Sequence, residues 1–254
     1  TCIVDTIGDD TAAVCAKPRG VPVVAVPTAG FLGGVFETGI RNALSAVAAL
    51  ALPTAGTTLT ANLVGEKNLE YGVDENAAEI TRLLSRLGIG VNLRFVRGIA
   101  TRDVERLGSA AVNILREPTL RPVGDDLKRR LGTPYIDSFP AGLAGTRRFI
   151  EEAGRTCGID PSDAVEEERA YQKELLAQFS DVAGSRICFK TPHPMLEADP
   201  GAEAVCAECV EALELIVDPD GTAIPPPYPA PVGTAGLGRM LYRWRVLIRG
   251  KRRG

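Results

Sequence analysis

From Thr58 onward the chain alternates short apolar runs with stretches of helical spacing, and this regularity limits the folds open to it. Leu59–Val64, Val91–Val96, Ala110–Leu115, Pro134–Ile136 and Arg186–Phe189 read as strands. Between them, Glu75–Leu87 places Ile80, Leu83, Leu84 and Leu87 on one helical face and stops at Gly88. Thr101–Leu107 reads as a short helix opened by a capping Thr101, and Val123–Leu131 as a helix closed by Gly132. Gly145–Ala153 is helical, as is Pro161–Phe179, which Asp160 opens. Strands separated by helices over about 130 residues imply a parallel sheet wrapped by helices. In such sheets ligands gather beyond the carboxyl ends of the strands.

The flanks follow other patterns. Val21–Val26 is a short apolar run bounded by prolines and reads as a buried strand. The glycine-rich stretch Thr28–Gly34 follows it. Val35–Leu50 has helical spacing, with Phe36, Ile40, Leu44 and Val47 on one stripe, and Pro53–Gly56 reads as a linker. Beyond Lys190 the alternation stops. Ala202–Ile216 is predicted helical, Pro225–Pro231 an extended polyproline-like spacer, and Leu237–Ile248 an amphipathic basic helix. Its apolar face carries Leu237, Leu241, Trp244 and Ile248.

Composition narrows the class. The 254 residues are 45% hydrophobic and 24% charged, ordinary for a globular protein. The net charge of −3 gives no global basic field for nucleic acid. Seven basic residues and no acid lie between Gly236 and Gly254, which leaves residues 1–235 at −10. No apolar run is long enough to span a membrane. The six cysteines lack a disulfide-dense spacing, so a reducing cytoplasm is the expected compartment. The chain opens in mid-motif without a methionine and reads as a fragment or processed chain.

Cys2 is the first candidate site. Gly8 allows a tight turn behind it, and Asp9 and Asp10 are placed to cap a following helix. A thiolate at such a loop tip binds iron, while the alternative is a plain buried thiol. The Thr28–Gly34 loop is either a ligand cradle or an ordinary strand-to-helix turn. Cys206 and Cys209 form a CxxC that a helix would place on one face. They suit a metal, a second cluster or a redox pair, but Val205, Cys206, Cys209, Leu213 and Ile216 also form one apolar stripe of core residues. His193 is either a ligand or a solvated loop residue, and Cys15, Cys157 and Cys188 read as structural. The basic tail helix suits an anionic membrane surface, nucleic acid or an acidic partner, or else packs its apolar face on the body. No residue is singled out as catalytic, and no Walker-type phosphate loop is present.

Several stretches together carry a resemblance. Thr-Cys2-Ile-Val-Asp-Thr-Ile-Gly-Asp-Asp10 resembles the cluster-ligand loop of nitrogenase component 1 type proteins. That superfamily includes the molybdenum-iron protein subunits, their cofactor scaffold proteins and the dark-operative protochlorophyllide and chlorin reductases. Thr28-Ala-Gly-Phe-Leu-Gly33, leading to Gly39, is similar to the second cluster-side loop. Asn62–Gly65 and Glu79–Ile89 resemble the opening of the second Rossmann-like domain. Ala110–Leu115, Leu131–Tyr135 and Pro140–Phe149 continue it in order. The match covers roughly residues 1–190.

The resemblance implies an α/β protein with Rossmann-like parallel sheets flanked by helices and a divergent C-terminal tail. It divides the chain into the end of a first domain (1–56), a second domain (57–190) and the tail (191–254). It implies that Cys2 is a ligand of a bridging 4Fe-4S type iron–sulfur cluster, with Gly8, Gly30, Phe31 and Gly33 around it. The cluster would be shared with a paralogous subunit in a heterodimer or heterotetramer, and an ATP-dependent iron-protein reductase would feed it electrons. Departures are visible. The catalytic dinitrogenase subunit carries a cysteine just after the strand equivalent to Ala110–Leu115, where this chain has Arg116-Glu117-Pro118. The implied role is therefore a partner-type (beta-like) subunit of a reductase. A non-catalytic scaffold for cofactor assembly and an iron-free Rossmann-like binding module are the alternatives.

Overall fold

The computed structural model describes residues 10–17, 20–27, 35–54, 57–66, 72–190 and 200–251. These fall into two compact units, one of residues 1–68 and 89–138, the other of residues 69–88 and 139–254.

The first unit is built on four parallel strands: β1 (Thr58–Val64), β2 (Gly90–Phe95), β3 (Ala110–Leu115) and β4 (Tyr135–Ile136), in the order β2-β1-β3-β4. β1 and β3 are central, and residues 61–64 of β1 and 112–115 of β3 are buried. Two helices of this unit, α1 (Thr11–Ala16) and α2 (Phe36–Ala48), precede β1. Asp10 accepts the Ala13 N–H at 2.9 Å, the N-cap anticipated for it. α2 buries Leu44 and Ala48 against Val64, Phe95, Leu107 and Leu115. α4 (Arg121–Leu131) ends where Gly132 adopts a left-handed φ of 77°, as its sequence predicts. Arg130 donates to the carbonyls of Ala48, Ala49 and Ala51 at 3.0–3.2 Å, satisfying the open end of α2.

Asparagines interrupt the apolar runs of this sheet, one in each of β1, β2 and β3. Asn62 and Asn113 are fully buried. The Asn62 amide donates to the Leu107 carbonyl at 2.9 Å and to Asn113 Oδ1 at 2.8 Å, and Asn92 donates to Asn62 Oδ1 at 2.8 Å. The ladder satisfies the Asn62 amide on both sides, while Asn113 accepts through Oδ1 and its Nδ2 is buried without a partner among the described residues.

The second unit carries α3 (Val73–Ser85), α5 (Gly142–Thr156), α6 (Ser162–Ala177), α7 (Pro200–Ala212) and α8 (Gly233–Lys251). Its three-stranded parallel sheet has β5 (Arg186–Phe189) at the centre, between β6 (Ile216–Val217) and β7 (Thr222–Ile224). Its core joins Ile187, Val205, Cys209, Leu241, Trp244 and Ile248. The apolar face read for α8 is the buried one: Leu237, Leu241, Trp244 and Ile248 all lie inside. This is the packed-helix reading of the basic tail.

Five expectations change. Val21–Val26 forms no strand among the described residues: it has no regular structure and is mostly exposed, and Pro22 lacks a ladder donor. Arg186–Phe189 keeps its predicted bounds but founds a second sheet instead of extending the first. The Thr101 segment is a 3₁₀ helix over Thr101–Ser109, closed at its start by Asp103, which accepts the Ala100 N–H at 2.8 Å; Thr101 is not the cap. The predicted helix Ala202–Ile216 ends at Ala212. Glu214 takes φ 52°, and the N–H groups of Glu214 and Leu215 bond to Glu211 and Val210 at 3.1 and 2.9 Å. This double closure ends a helix without the usual glycine and frees Ile216 for β6. Pro225–Pro231, read as a spacer, is partly buried and lines a cavity beside α8.

Candidate functional site

Within the first unit, β1 leads to β2 on one side while β3 leads to β4 on the other. The carboxyl ends of β1 and β3 therefore flank a topological switch point, the place where parallel sheets collect ligands. The backbone closes tightly there. The Gly65 N–H donates to the Phe95 carbonyl at 3.0 Å, and the Arg116 N–H donates to the Val64 carbonyl at 2.9 Å. Gly65 has φ 92°, which strains any side chain, and a Cβ on it would lie 2.1 Å from Leu120 Cδ1 and force that side chain to move.

Charged side chains ring this edge in pairs. The Glu66 carboxylate, 7% exposed, takes a two-point contact from Arg94 at 2.8 and 2.9 Å. Thr119 Oγ1 donates to Glu117 at 2.8 Å, and Arg121 pairs with Asp137. That pairing raises the Arg121 guanidinium further. Tyr135 donates to Asp125 at 2.8 Å, and this hydrogen bond, with burial behind it, pushes the phenol up. The described edge thus offers ion pairs, with neither a thiol nor an imidazole among the residues named.

The sequence-derived site residues fall on both sides of the described boundary. Cys2, Gly8, Gly30, Phe31 and Gly33 lie outside the described residues, as do Asp9 and His193. What borders the glycine loop is described: Val35 and Phe36, at the start of α2, are exposed, and Asn42 donates to the Pro27 carbonyl at 3.0 Å.

Cys206 and Cys209 lie on α7, both buried in the apolar core of the second unit. Burial, with Glu203 adding to it, pushes the Cys206 thiol up to about 11. Burial, then Glu208 and Cys206, pushes Cys209 up to about 12. Metals and clusters bind thiolates, which this environment disfavours. No group of three or more His, Cys, Asp or Glu side chains suited to a metal is assembled among the described residues. The described donor set therefore does not fit an iron–sulfur cluster, and the pair packs as core side chains do. Cys157 is likewise raised by burial.

Sequence reading missed a buried polar network of the second unit. Arg82 on α3 holds Glu79 on its own helix at 2.7 and 2.8 Å and Glu168 on α6 at 2.8 and 3.0 Å. Thr234 donates to Glu168, and Glu79 accepts the Ala235 N–H at 3.1 Å near the start of α8. Burial alone would lower the Arg82 guanidinium, but the two carboxylates together outweigh it and raise it. The Glu79/Arg82 spacing is a sequence signal for a local pair, but nothing local points to Glu168.

No helix among the described residues is long and apolar enough to cross a membrane. Tail cations are engaged within the unit: Arg249 with Asp181 at 2.8 Å, Arg245 with the Gln178 carbonyl at 2.8 Å, and Lys251 with the Asp220 and Gly221 carbonyls at 2.9 and 3.0 Å.

The nitrogenase component 1 type oxidoreductase family model matches residues 1–191. The B subunit of the light-independent protochlorophyllide reductase of Methylobacterium radiotolerans is 38% identical over 106 residues, covering 41% of this chain and 20% of that protein. The protein of the same name from Roseobacter denitrificans is 31% identical over 171 residues, covering 63% of this chain and 32% of that one. The chain thus spans about a fifth to a third of these relatives. Among solved structures, nitrogenase Cp1 at pH 5 superposes with a TM-score of 0.61 at 19% identity, covering 88% of this chain and 47% of that one. Fold and sequence agree, and the chain belongs to the nitrogenase component 1 type oxidoreductase family.

Proposed function

We propose that this chain is part of a subunit of a nitrogenase-like, ATP-dependent reductase complex, with Cys2 as a ligand of an iron–sulfur cluster shared with a paralogous subunit. The observation that carries the reading is the family match, which begins at residue 1 and so includes Cys2. An iron-protein reductase is the electron donor and hydrolyses the ATP. The relatives' name points to a tetrapyrrole double bond as the acceptor, which takes up two electrons and two protons.

The cluster, when bound, supplies single electrons at low potential. The described residues contribute the frame. The β1–β3 edge fixes the backbone at Gly65, the Glu66–Arg94 pair holds charge in place, and α2 carries the chain away from the Gly30–Gly33 loop. The cytoplasm is the compartment in which exposed cluster thiolates stay reduced.

The test uses the full-length subunit that contains this segment, isolated without oxygen together with its paralogue. Protochlorophyllide reduction is followed with the iron protein, dithionite and MgATP. The reading expects product that depends on both the iron protein and MgATP. Transfer of iron–sulfur cluster to an apo-acceptor without any reduction would establish the scaffold role instead and overturn it.

A further inference from the structure

The core uses only one side of α8. Leu237, Met240, Leu241, Trp244 and Ile248 are buried in the second unit. Tyr242, Val246 and Leu247 are 58%, 53% and 40% exposed, and Arg239, Arg243 and Arg249 are exposed with them. At the helical spacing these six positions fall within an arc of about 160°. A helix at the surface of a globular unit ordinarily turns its charge to water and its large apolar groups inward. On α8 a second apolar group, spaced i, i+4 and i+5, stands among the cations on the outer side.

The charge of this face survives its contacts within the chain. α8 carries five cations, Arg239, Arg243, Arg245, Arg249 and Lys251, and no acid. Two carboxylates lie beside them. Asp181 is shared by Arg245 and Arg249, at 3.5 and 2.8 Å, and Glu75 lines the same cleft as Arg239 and Arg243. Five against two leaves +3. Arg239 bonds to the neutral amide of Asn76 at 3.4 Å, and the carbonyls held by Lys251 are neutral too, so both keep their charge. Asp218, which also faces Lys251, is paired with Arg186. The sequence continues with Arg252 and Arg253.

We propose that the outer face of α8 lies on an anionic membrane surface, its cations at the lipid phosphates and Tyr242, Val246 and Leu247 in the interfacial layer. Cations interleaved with an aromatic and aliphatic side chains are the chemistry of a helix that rests in a bilayer interface without crossing it. A nucleic-acid backbone answers the cations but offers Val246 and Leu247 nothing. The surface goes beyond the reductase reading and shares no residue with the Cys2 loop.

The full 254-residue chain is co-sedimented with sucrose-loaded vesicles of phosphatidylcholine, alone or with about 30 mol% phosphatidylglycerol. The expected result is at least tenfold tighter binding to the anionic vesicles, weakening as salt rises from about 50 to about 500 mM. R239Q/K251Q should lose at least tenfold on them, since each cation at such a surface contributes roughly fivefold. Y242S/V246S/L247S keeps every charge; it should lose at least fivefold on the anionic vesicles and bind heparin, an anionic polymer without a bilayer, as the parent does. Emission of Trp244, the only tryptophan of the chain, and far-UV circular dichroism report that each variant folds. Where a multiple variant does not, its single replacements are read, with at least a twofold loss expected for R239Q and for L247S. Equal binding to both kinds of vesicle, binding to neither, or full vesicle binding by the apolar variant, the mark of a surface for nucleic acid or an acidic protein, overturns the proposal. The measurement needs no iron, so its outcome and that of the reductase test are independent.

Discussion

Replacing Arg82 with alanine should destabilise the second unit more than any change at its surface. The variant leaves Glu168, 0% exposed, facing only Thr234 and, at 3.6 Å, Arg86. Removing one partner of a buried pair costs about 3–5 kcal/mol, because the remaining charge stays desolvated. Arg82 is itself 29% exposed, which favours the lower end, about 3 kcal/mol. Glu168→Ala should cost less, about 2 kcal/mol, since Arg82 keeps Glu79 and its contact with water. The two losses describe one interaction, so the double variant should fall short of their sum by about 1–3 kcal/mol. Arg86 and Glu167 provide the control: Glu167 is 63% exposed, and Glu167→Ala should change stability by under about 0.5 kcal/mol. Urea unfolding followed through Trp244 emission reads this unit alone, because the indole lies in its core. An Arg82→Ala variant within about 1 kcal/mol of the parent, or strictly additive losses, would refute the reasoning.

Other perturbations have equally direct outcomes. Gly65→Ala should destabilise the first unit by about 2–3 kcal/mol, because it combines a φ of 92° with a Cβ 2.1 Å from Leu120; differential scanning calorimetry would show the lowered transition. Iodoacetamide at pH 8 should modify Cys206 and Cys209 only after unfolding, since a thiol pushed up to about 11 is about 0.1% thiolate at that pH; mass spectrometry of timed samples reads this. The same thiols set a pH dependence. The folded chain keeps protons that the unfolded chain releases near pH 9, so their contribution is complete below that value and lost as pH rises through about 11 and 12. Cys206→Val combined with Cys209→Val should flatten this alkaline loss in urea titrations.

The parts of the fold legible in the sequence are those decided locally. β3 and β5 have their predicted bounds because predominantly apolar, β-branched runs, broken only by Asn113 and Arg186, leave a parallel strand few alternatives. α4 stops at Gly132 because glycine takes the left-handed closing position without cost. α7 was overextended for the converse reason: its closing residue is Glu214, and nothing in a glutamate announces a positive φ. The split into two sheets was hidden because Arg186–Phe189 has the same apolar pattern whichever neighbours it pairs with. The Arg82–Glu168 contact joins residues 86 apart, and the cavity joins α3 to the tail, so neither has a periodicity to read. Pro225–Pro231 has a spacer's composition but packs, because a proline tract is also a rigid wall.

For the candidate site, the order of motifs in the sequence points to Cys2 and the Gly30–Gly33 loop, which lie outside the described residues. Cys206 and Cys209 show why spacing alone is a weak guide. A CxxC on a helix puts both sulfurs on one face whether that face meets a metal or Val205 and Leu213, and here both thiols lie in the apolar core.

The claim that Cys2 ligates an iron–sulfur cluster is tested most directly by iron and acid-labile sulfide analysis. Cys2→Ala is compared with the parent subunit, each isolated anaerobically with its paralogue. The account predicts that the variant loses the iron and sulfide of one cluster, together with its visible absorbance, while Trp244 emission and far-UV circular dichroism stay unchanged. Full iron, full sulfide and undiminished visible absorbance in the Cys2→Ala complex would contradict it.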